Sequence, residues 1–211
     1  MGSNGVNNPV WLPCFFEYIR GTERMEARLY KAMQENPIIA AVRDDAGLEG
    51  AVKADVQVVF VLYGDVCGIG SIVDRIKDAG KIAIVHVDLI TGLSGKEVCV
   101  DFLKKTTRAD GIISTRVNMI QRAKELQMIT IFRIFIIGSM ALFSLSGVRS
   151  LRPGAIAILP GLMPGIIRKV RGMTGLPVLA GGLITEKQEV IQALDAGALA
   201  ISSTAPAVWQ M

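Results

Sequence analysis

Short apolar runs rich in valine and isoleucine recur along this chain, each followed by a stretch with helical spacing. They are Ile38–Val42, Val56–Tyr63, Ile82–Leu89, Gly111–Arg116, Ile129–Ile137, Ala155–Leu159, Pro177–Gly181 and Leu199–Ser203. Most lack polar–apolar alternation, as expected of parallel strands buried on both faces. Between them, Gly68–Gly80 puts Ile69, Ile72, Val73 and Ile76 on one face and ends at a glycine. Gly95–Thr106 groups Val98, Phe102 and Leu103. Asn118–Gln127 opens on a cap-competent asparagine, and Thr185 opens a T-x-x-Q capping box. Run starts fall about 23 residues apart. Eight such units predict an α/β fold, a (β/α)8 TIM-type barrel with parallel strands, with helix Thr22–Asn36 closing the bottom or packing alongside. A doubly wound open sheet is the alternative, but no G-x-G-x-x-G follows the first run. Residues 1–21 read as a poorly ordered N-terminal extension and 22–211 as a single barrel domain.

Two apolar segments resemble membrane signals. Pro9–Ile19 is too short to span, contains Pro13 and Glu17, and lacks a basic start. Ile129–Gly147 has the length, with Arg133 as its only charge, but it starts as a β-branched and aromatic run broken at Gly138-Ser139. No membrane association is expected.

Composition narrows the chemistry. The 211 residues are 51% apolar and 20% charged, which excludes intrinsic disorder. Cys14, Cys67 and Cys99 are too scattered for a disulfide framework, and no C-x-x-C occurs. A single histidine excludes zinc hydrolases that need two or three. No metal or cofactor is expected, and a reducing cytoplasm is the expected location. The net charge is +4, yet no acidic residue stands between Glu125 and Glu186. That interval holds Arg133, Arg149, Arg152, Arg168, Lys169 and Arg171, so one side should be more positive than the average.

In a barrel of this type the ligand meets the C-terminal strand ends. Those ends carry Arg43-Asp44-Asp45, Tyr63-Gly64-Asp65, His86 with Asp88, Ser114-Thr115-Arg116, Pro160-Gly161, Gly181-Gly182 and Ser202-Ser203-Thr204, while the fifth strand carries Arg133. Gly181-Gly182 after strand seven and Ser202-Ser203 after strand eight suit a phosphate, because glycines let backbone N–H groups approach the oxygens. Arg43 or Arg116 would stand nearby. The plainer reading is that the paired glycines only turn the chain. His86 and Asp88, two apart on one strand, point the same way and resemble an acid/base pair. They equally suit a polar pair that orients a ligand hydroxyl. No lysine sits at a strand C-terminal end, so a Schiff-base aldolase lacks its nucleophile. Without a second acid/base partner, binding is favoured over turnover and no catalytic residue is assigned. Arg168, Lys169 and Arg171, in MPGIIRKVRGM, form either a solvated face or, with Arg149 and Arg152, a phosphate-tracking RNA patch.

Several blocks together resemble one family. IAIVHVDLITGLSGKEVCVDFLKKTTRADGIISTRVNMIQRAKEL, PIIAAVRDDAGLEGAV, ILPGLMPGIIRKV, PVLAGGLITEKQEV and AGALAISSTAPAVW are similar to the glycerol-3-phosphate-responsive antiterminators, regulators of bacterial glycerol uptake operons. The resemblance runs from about Pro37 to Trp209. It implies a barrel that binds glycerol 3-phosphate, acts on leader mRNA to prevent termination, and catalyses nothing. A homo-oligomer is compatible with it. Two positions depart from the family pattern. Ala157 stands where an acidic residue is expected before the LPG turn, and Gly138 where an aspartate commonly follows strand five. Those acids would hold glycerol hydroxyls or fix a neighbouring arginine, so their loss bears on ligand specificity. The competing class is a phosphate-binding barrel enzyme, an isomerase, lyase or prenyltransferase. A third reading is an orphan barrel that only folds.

Overall fold

Eight parallel strands close into a barrel in the order β1 to β8 in a computed structural model that describes residues 24–138 and 145–211. The strands are β1 Ile38–Val42, β2 Val58–Val61, β3 Ile82–His86, β4 Gly111–Ser114, β5 Ile129–Phe135, β6 Ala155–Leu159, β7 Val178–Gly181 and β8 Ala200–Ser203. The helices are α1 Arg24–Glu35, α2 Asp45–Lys53, α3 Ile69–Asp78, α4 Val98–Thr106, α5 Val117–Glu125, α6 Leu145–Leu151, α7 Pro164–Thr174, α8 Lys187–Asp195 and the single turn α9 Pro206–Trp209. The expected TIM-type barrel is therefore present, and the open sheet is excluded by the pairing of β1 with β8. The expected extension over residues 1–21, and Pro9–Ile19 within it, lies outside the described residues.

The runs make strands because both faces are buried. Outward side chains such as Val59, Val85, Ile112 and Ile156 join the layer against the helices. Inward ones such as Phe60, Ile84, Ile113, Ile131 and Leu179 fill the barrel. Removing this surface from water supplies the main driving force, about 25 cal/mol per Å² of apolar area. Helix α1 plugs the N-terminal end, where Leu29, Tyr30, Ala32 and Met33 join the interior cluster and the Tyr30 hydroxyl donates to the Gly154 carbonyl. Close by, the buried Asp110 accepts from Lys77 Nζ at 2.6 Å, Ala83 N at 2.8 Å and Arg28 at 3.3 Å.

Some local expectations change. Val98 is exposed, and Cys99, Val100 and Leu103 form the buried face of α4. Asn118 does not cap α5. Arg116 holds the cap position without a side-chain bond, and the Asn118 amide donates to Glu97. The capping box of α8 is Glu186 with Glu189, one residue beyond Thr185, because the Glu189 carboxylate accepts from both Thr185 N and Glu186 N. Ile129–Gly147 is not one helix: β5 ends at Phe135 and α6 starts at Leu145. No helix among the described residues is long and apolar enough to cross a membrane.

Candidate ligand site at the barrel mouth

Inward parity continues from the apolar layers to the mouth. On β3, His86 follows Ile82 and Ile84; on β5, Arg133 follows Ile129 and Ile131; on β6, Leu159 follows Ala155 and Ala157. The same alternation turns Gly181 of β7 and Ser202 of β8 inward, after Leu179 and Ala200.

The strand β3 stops at His86, and Asp88 lies in a 3-10 turn, Val87–Leu89. Strand alternation therefore does not align the two as expected. The turn still brings the Asp88 carboxylate to 4.0 Å from His86 Nδ1. Asp88 has other partners: Ser114 Oγ at 3.0 Å, Thr115 N at 2.8 Å and Thr115 Oγ1 at 3.2 Å donate to it, and Arg116 Nε stands 3.7 Å away. Its acceptor capacity is largely filled, which suits an anchored acceptor better than a proton shuttle.

His86 is 2% exposed and its Nδ1 has no hydrogen-bond partner among the described residues. Burial first, and the nearby Arg133 charge second, push its pKa down to about 4, with Asp88 opposing. It is therefore a neutral imidazole at pH 7. Arg133 is 7% exposed, its Nε has no partner among the described residues, and burial pushes its pKa down to about 10 against the pull of Asp88. It remains a cation at pH 7, within the field of Asp88. Its register partner on β6 is Ala157. An acid at Ala157 would thus stand beside Arg133.

The glycine–serine end has a different character. A Cβ at Gly181 would collide with the Ser202 hydroxyl, so only glycine lets the two strand ends approach this closely. Gly182 has φ +74°, a conformation L side chains rarely adopt. Ser202 is buried, and its hydroxyl has no partner among the described residues. Ser203 points the other way: its hydroxyl donates to the Ile184 carbonyl at 2.7 Å and accepts from Ala205 N at 3.0 Å. Its side chain is committed to the fold. Arg43 is exposed at the end of β1, and Arg116 lies over Gly95 at the end of β4.

The neighbouring acids are occupied. Asp44 caps α2 through Gly47 N, Asp45 binds Arg75 and the Tyr63 hydroxyl, and Asp65 accepts from Cys67 N and Gly68 N. Burial and the bond to Asp45 push the Tyr63 pKa upward, so it stays a neutral phenol.

A model of the glycerol-3-phosphate responsive antiterminators matches residues 38–209. The chain belongs to this family. A crystal structure of the glycerol uptake operon antiterminator regulatory protein from Listeria monocytogenes is 32% identical, with a TM-score of 0.77 over 80% of this chain and 92% of that one. An antiterminator-related protein from Thermotoga maritima is 30% identical, with a TM-score of 0.74 over 82% and 98%. The Escherichia coli K12 protein YgcP is 41% identical over 184 residues, 87% of this chain and 96% of its own length.

Within this antiterminator barrel the basic residues of the acid-free interval part company. Arg133 turns into the mouth. Arg149 and Arg152 at the end of α6, and Arg168 and Lys169 on α7, are exposed outside it, and α6 packs against α7. Arg171 is half-buried, with its guanidinium over Gly197.

Arg133 is the site residue that the strand-end reading named without assigning a role. Its signal was legible: it is a lone charge spaced two and four residues from Ile131 and Ile129 in an apolar run.

Proposed function

We propose that this chain is a ligand-gated transcription antiterminator that binds a phosphorylated three-carbon ligand, glycerol 3-phosphate or a close relative, and acts on leader mRNA in the cytoplasm. Family membership over residues 38–209 is the observation that carries this reading. The mouth supports it with the close approach of Gly181 to Ser202, a Ser202 hydroxyl without a partner among the described residues and a His86–Asp88–Arg133 cluster. The phosphate would meet Gly181, Gly182, Ser202 and the Ser203 backbone, with Arg43 or Arg116 at the rim. His86 and Asp88 would orient the rest of the ligand.

We infer binding without turnover. Asp88 is filled by Ser114 and Thr115, and no lysine ends a strand, so acid/base relay and Schiff-base chemistry both lack a group. For RNA, Arg149, Arg152, Arg168 and Lys169 offer exposed cations on two adjacent helices and the turn after the first. Arg171 stands at their edge. The patch lies outside the barrel, so ligand would act through the mouth loops or through self-association.

The test is read-through of a glycerol-operon leader terminator in a purified transcription reaction. The protein should raise read-through only with glycerol 3-phosphate or the related ligand present. Read-through unchanged by protein in every ligand condition would sink the regulatory reading. Conversion of glycerol 3-phosphate, lost in His86→Ala, would replace it with an enzyme.

A further inference from the structure

Arg133 and His86 are an expensive pair to leave idle. Each is more than nine-tenths buried, and each has a nitrogen without a partner among the described residues, Arg133 Nε and His86 Nδ1. Buried polar groups are normally paired, and a buried charge without a partner is costlier still. Asp88, the nearest acid, makes no ion pair with Arg133 within 4.0 Å and is already taken by Ser114, Thr115 and Arg116. The inward position beside Arg133 holds Ala157, which brings no carboxylate. No other described acid comes within ion-pair distance.

We propose that Arg133, with His86 beside it, binds a carboxylate of the ligand, so that the site takes a phosphorylated three-carbon acid in preference to a phosphorylated polyol. This rests on the phosphate placement at Gly181, Gly182 and Ser202. Strands β5 and β7 flank β6, and Gly181 lies two residues beyond Leu179, which is in register with Arg133 through Ala157, so about 12 Å of sheet separates Arg133 from Gly181. A three-carbon chain met by an arginine side chain spans that gap. A guanidinium donates two parallel N–H bonds to a carboxylate, whereas a hydroxyl takes one and leaves the cation uncompensated. The neutral His86 can donate to the same carboxylate or to the adjacent hydroxyl without adding charge. Arg133 thereby sets the oxidation level recognised at the far carbon, because the two ligand classes differ only in carboxylate against hydroxymethyl.

Glycerol 3-phosphate and 3-phosphoglycerate form a matched pair for the test. Calorimetry on the full chain should give about tenfold tighter binding of 3-phosphoglycerate, the worth of one charge-assisted pair. Arg133→Gln should lose that preference by weakening the acid more than glycerol 3-phosphate, so that the two affinities converge. It removes a side chain with no partner among the described residues, so it orphans no group of the fold. Ala157→Asp, which supplies an internal carboxylate next to Arg133, should lose the preference in the same way. Equal binding of both ligands to the parent protein, or tighter glycerol 3-phosphate, would overturn the proposal and leave the phosphate site standing. So would an equal loss of both in Arg133→Gln, because Arg133 would then serve the phosphate. If neither ligand binds, the phosphate placement fails as well.

Discussion

His86 Nδ1 stands 4.0 Å from Asp88 Oδ2, beyond hydrogen-bond distance, and the nitrogen has no other partner among the described residues. The imidazole is thus kept neutral by burial and by Arg133, and the opposing carboxylate does not rescue its proton. The unfolded chain binds that proton with a pKa of 6.5 and the folded chain with about 4. Between those values the unfolded state holds more protons, so stability falls as pH drops from 6.5 toward 4. By pH 5 this one group should cost about 2 kcal/mol. Urea denaturation of the parent and His86→Gln at pH 7.5 and pH 5 checks it. The acid-side loss should be smaller in the variant by that amount, and equal losses would mean His86 does not titrate below its ordinary range.

Adjacent serines at the end of β8 should behave oppositely. Ser203 bridges the Ile184 carbonyl and Ala205 N, so Ser203→Ala should destabilise by about 1–2 kcal/mol. The Ser202 hydroxyl bonds nothing among the described residues, so Ser202→Ala should stay within about 0.5 kcal/mol of the parent. Yet Ser202→Ala should weaken a phosphorylated ligand about tenfold, the value of a hydrogen bond to a charged group. Melting curves and calorimetry together separate the two roles. A Ser202→Ala protein with parental affinity would move the phosphate elsewhere.

At the opposite end, Asp110 ties Lys77, Arg28 and Ala83 N to the floor of the barrel. Asp110→Ala leaves a mostly buried ammonium and a buried amide unpaired, which should cost about 3 kcal/mol. Denaturant midpoints measure this. The change is remote from the mouth, so ligand affinity at a temperature where the variant is folded should be unchanged.

The barrel was legible because strands buried on both faces must be apolar throughout, and eight such runs survive any uncertainty at their ends. Chain ends of elements were harder. The α8 cap moved from Thr185 to Glu186 because the Glu189 side chain can reach either amide, and spacing alone does not choose between them. Val98 looked like a core residue by period, but the helix starts there and its first turn hangs outside the layer. For the site, the strand ends named the right loops, while alternation within β5 and β8 decides which side chains enter. It brings in Arg133 and Ser202 and turns the Ser203 hydroxyl away. The charge asymmetry of the interval from Glu125 to Glu186 likewise has two origins that composition cannot divide: one inward arginine and an outer patch.

That outer patch gives the last prediction. Arg149 on α6, Arg152 just past its end, and Arg168 and Lys169 on α7 are exposed, and the buried faces of these helices pack on each other and on the barrel. None forms an ion pair with an acid among the described residues, so their charge is available to an external phosphate chain. Each phosphate contact to single-stranded RNA releases counterions, so the slope of log affinity against log salt should shrink by roughly 0.7 per contact removed. Replacing Arg168 and Lys169 by alanine should therefore reduce the slope by about 1.4, and adding Arg149→Ala and Arg152→Ala should roughly double the reduction. Arg171, half-buried over Gly197, should contribute less when replaced alone. Arg133→Gln provides the internal control, because an inward cation cannot track an external backbone and its loss should leave the slope unchanged. The measurement is leader-RNA binding across a salt series at saturating ligand. Parental slopes in the fourfold variant would make these residues a solvated face and send the search for the RNA surface to another side of the barrel.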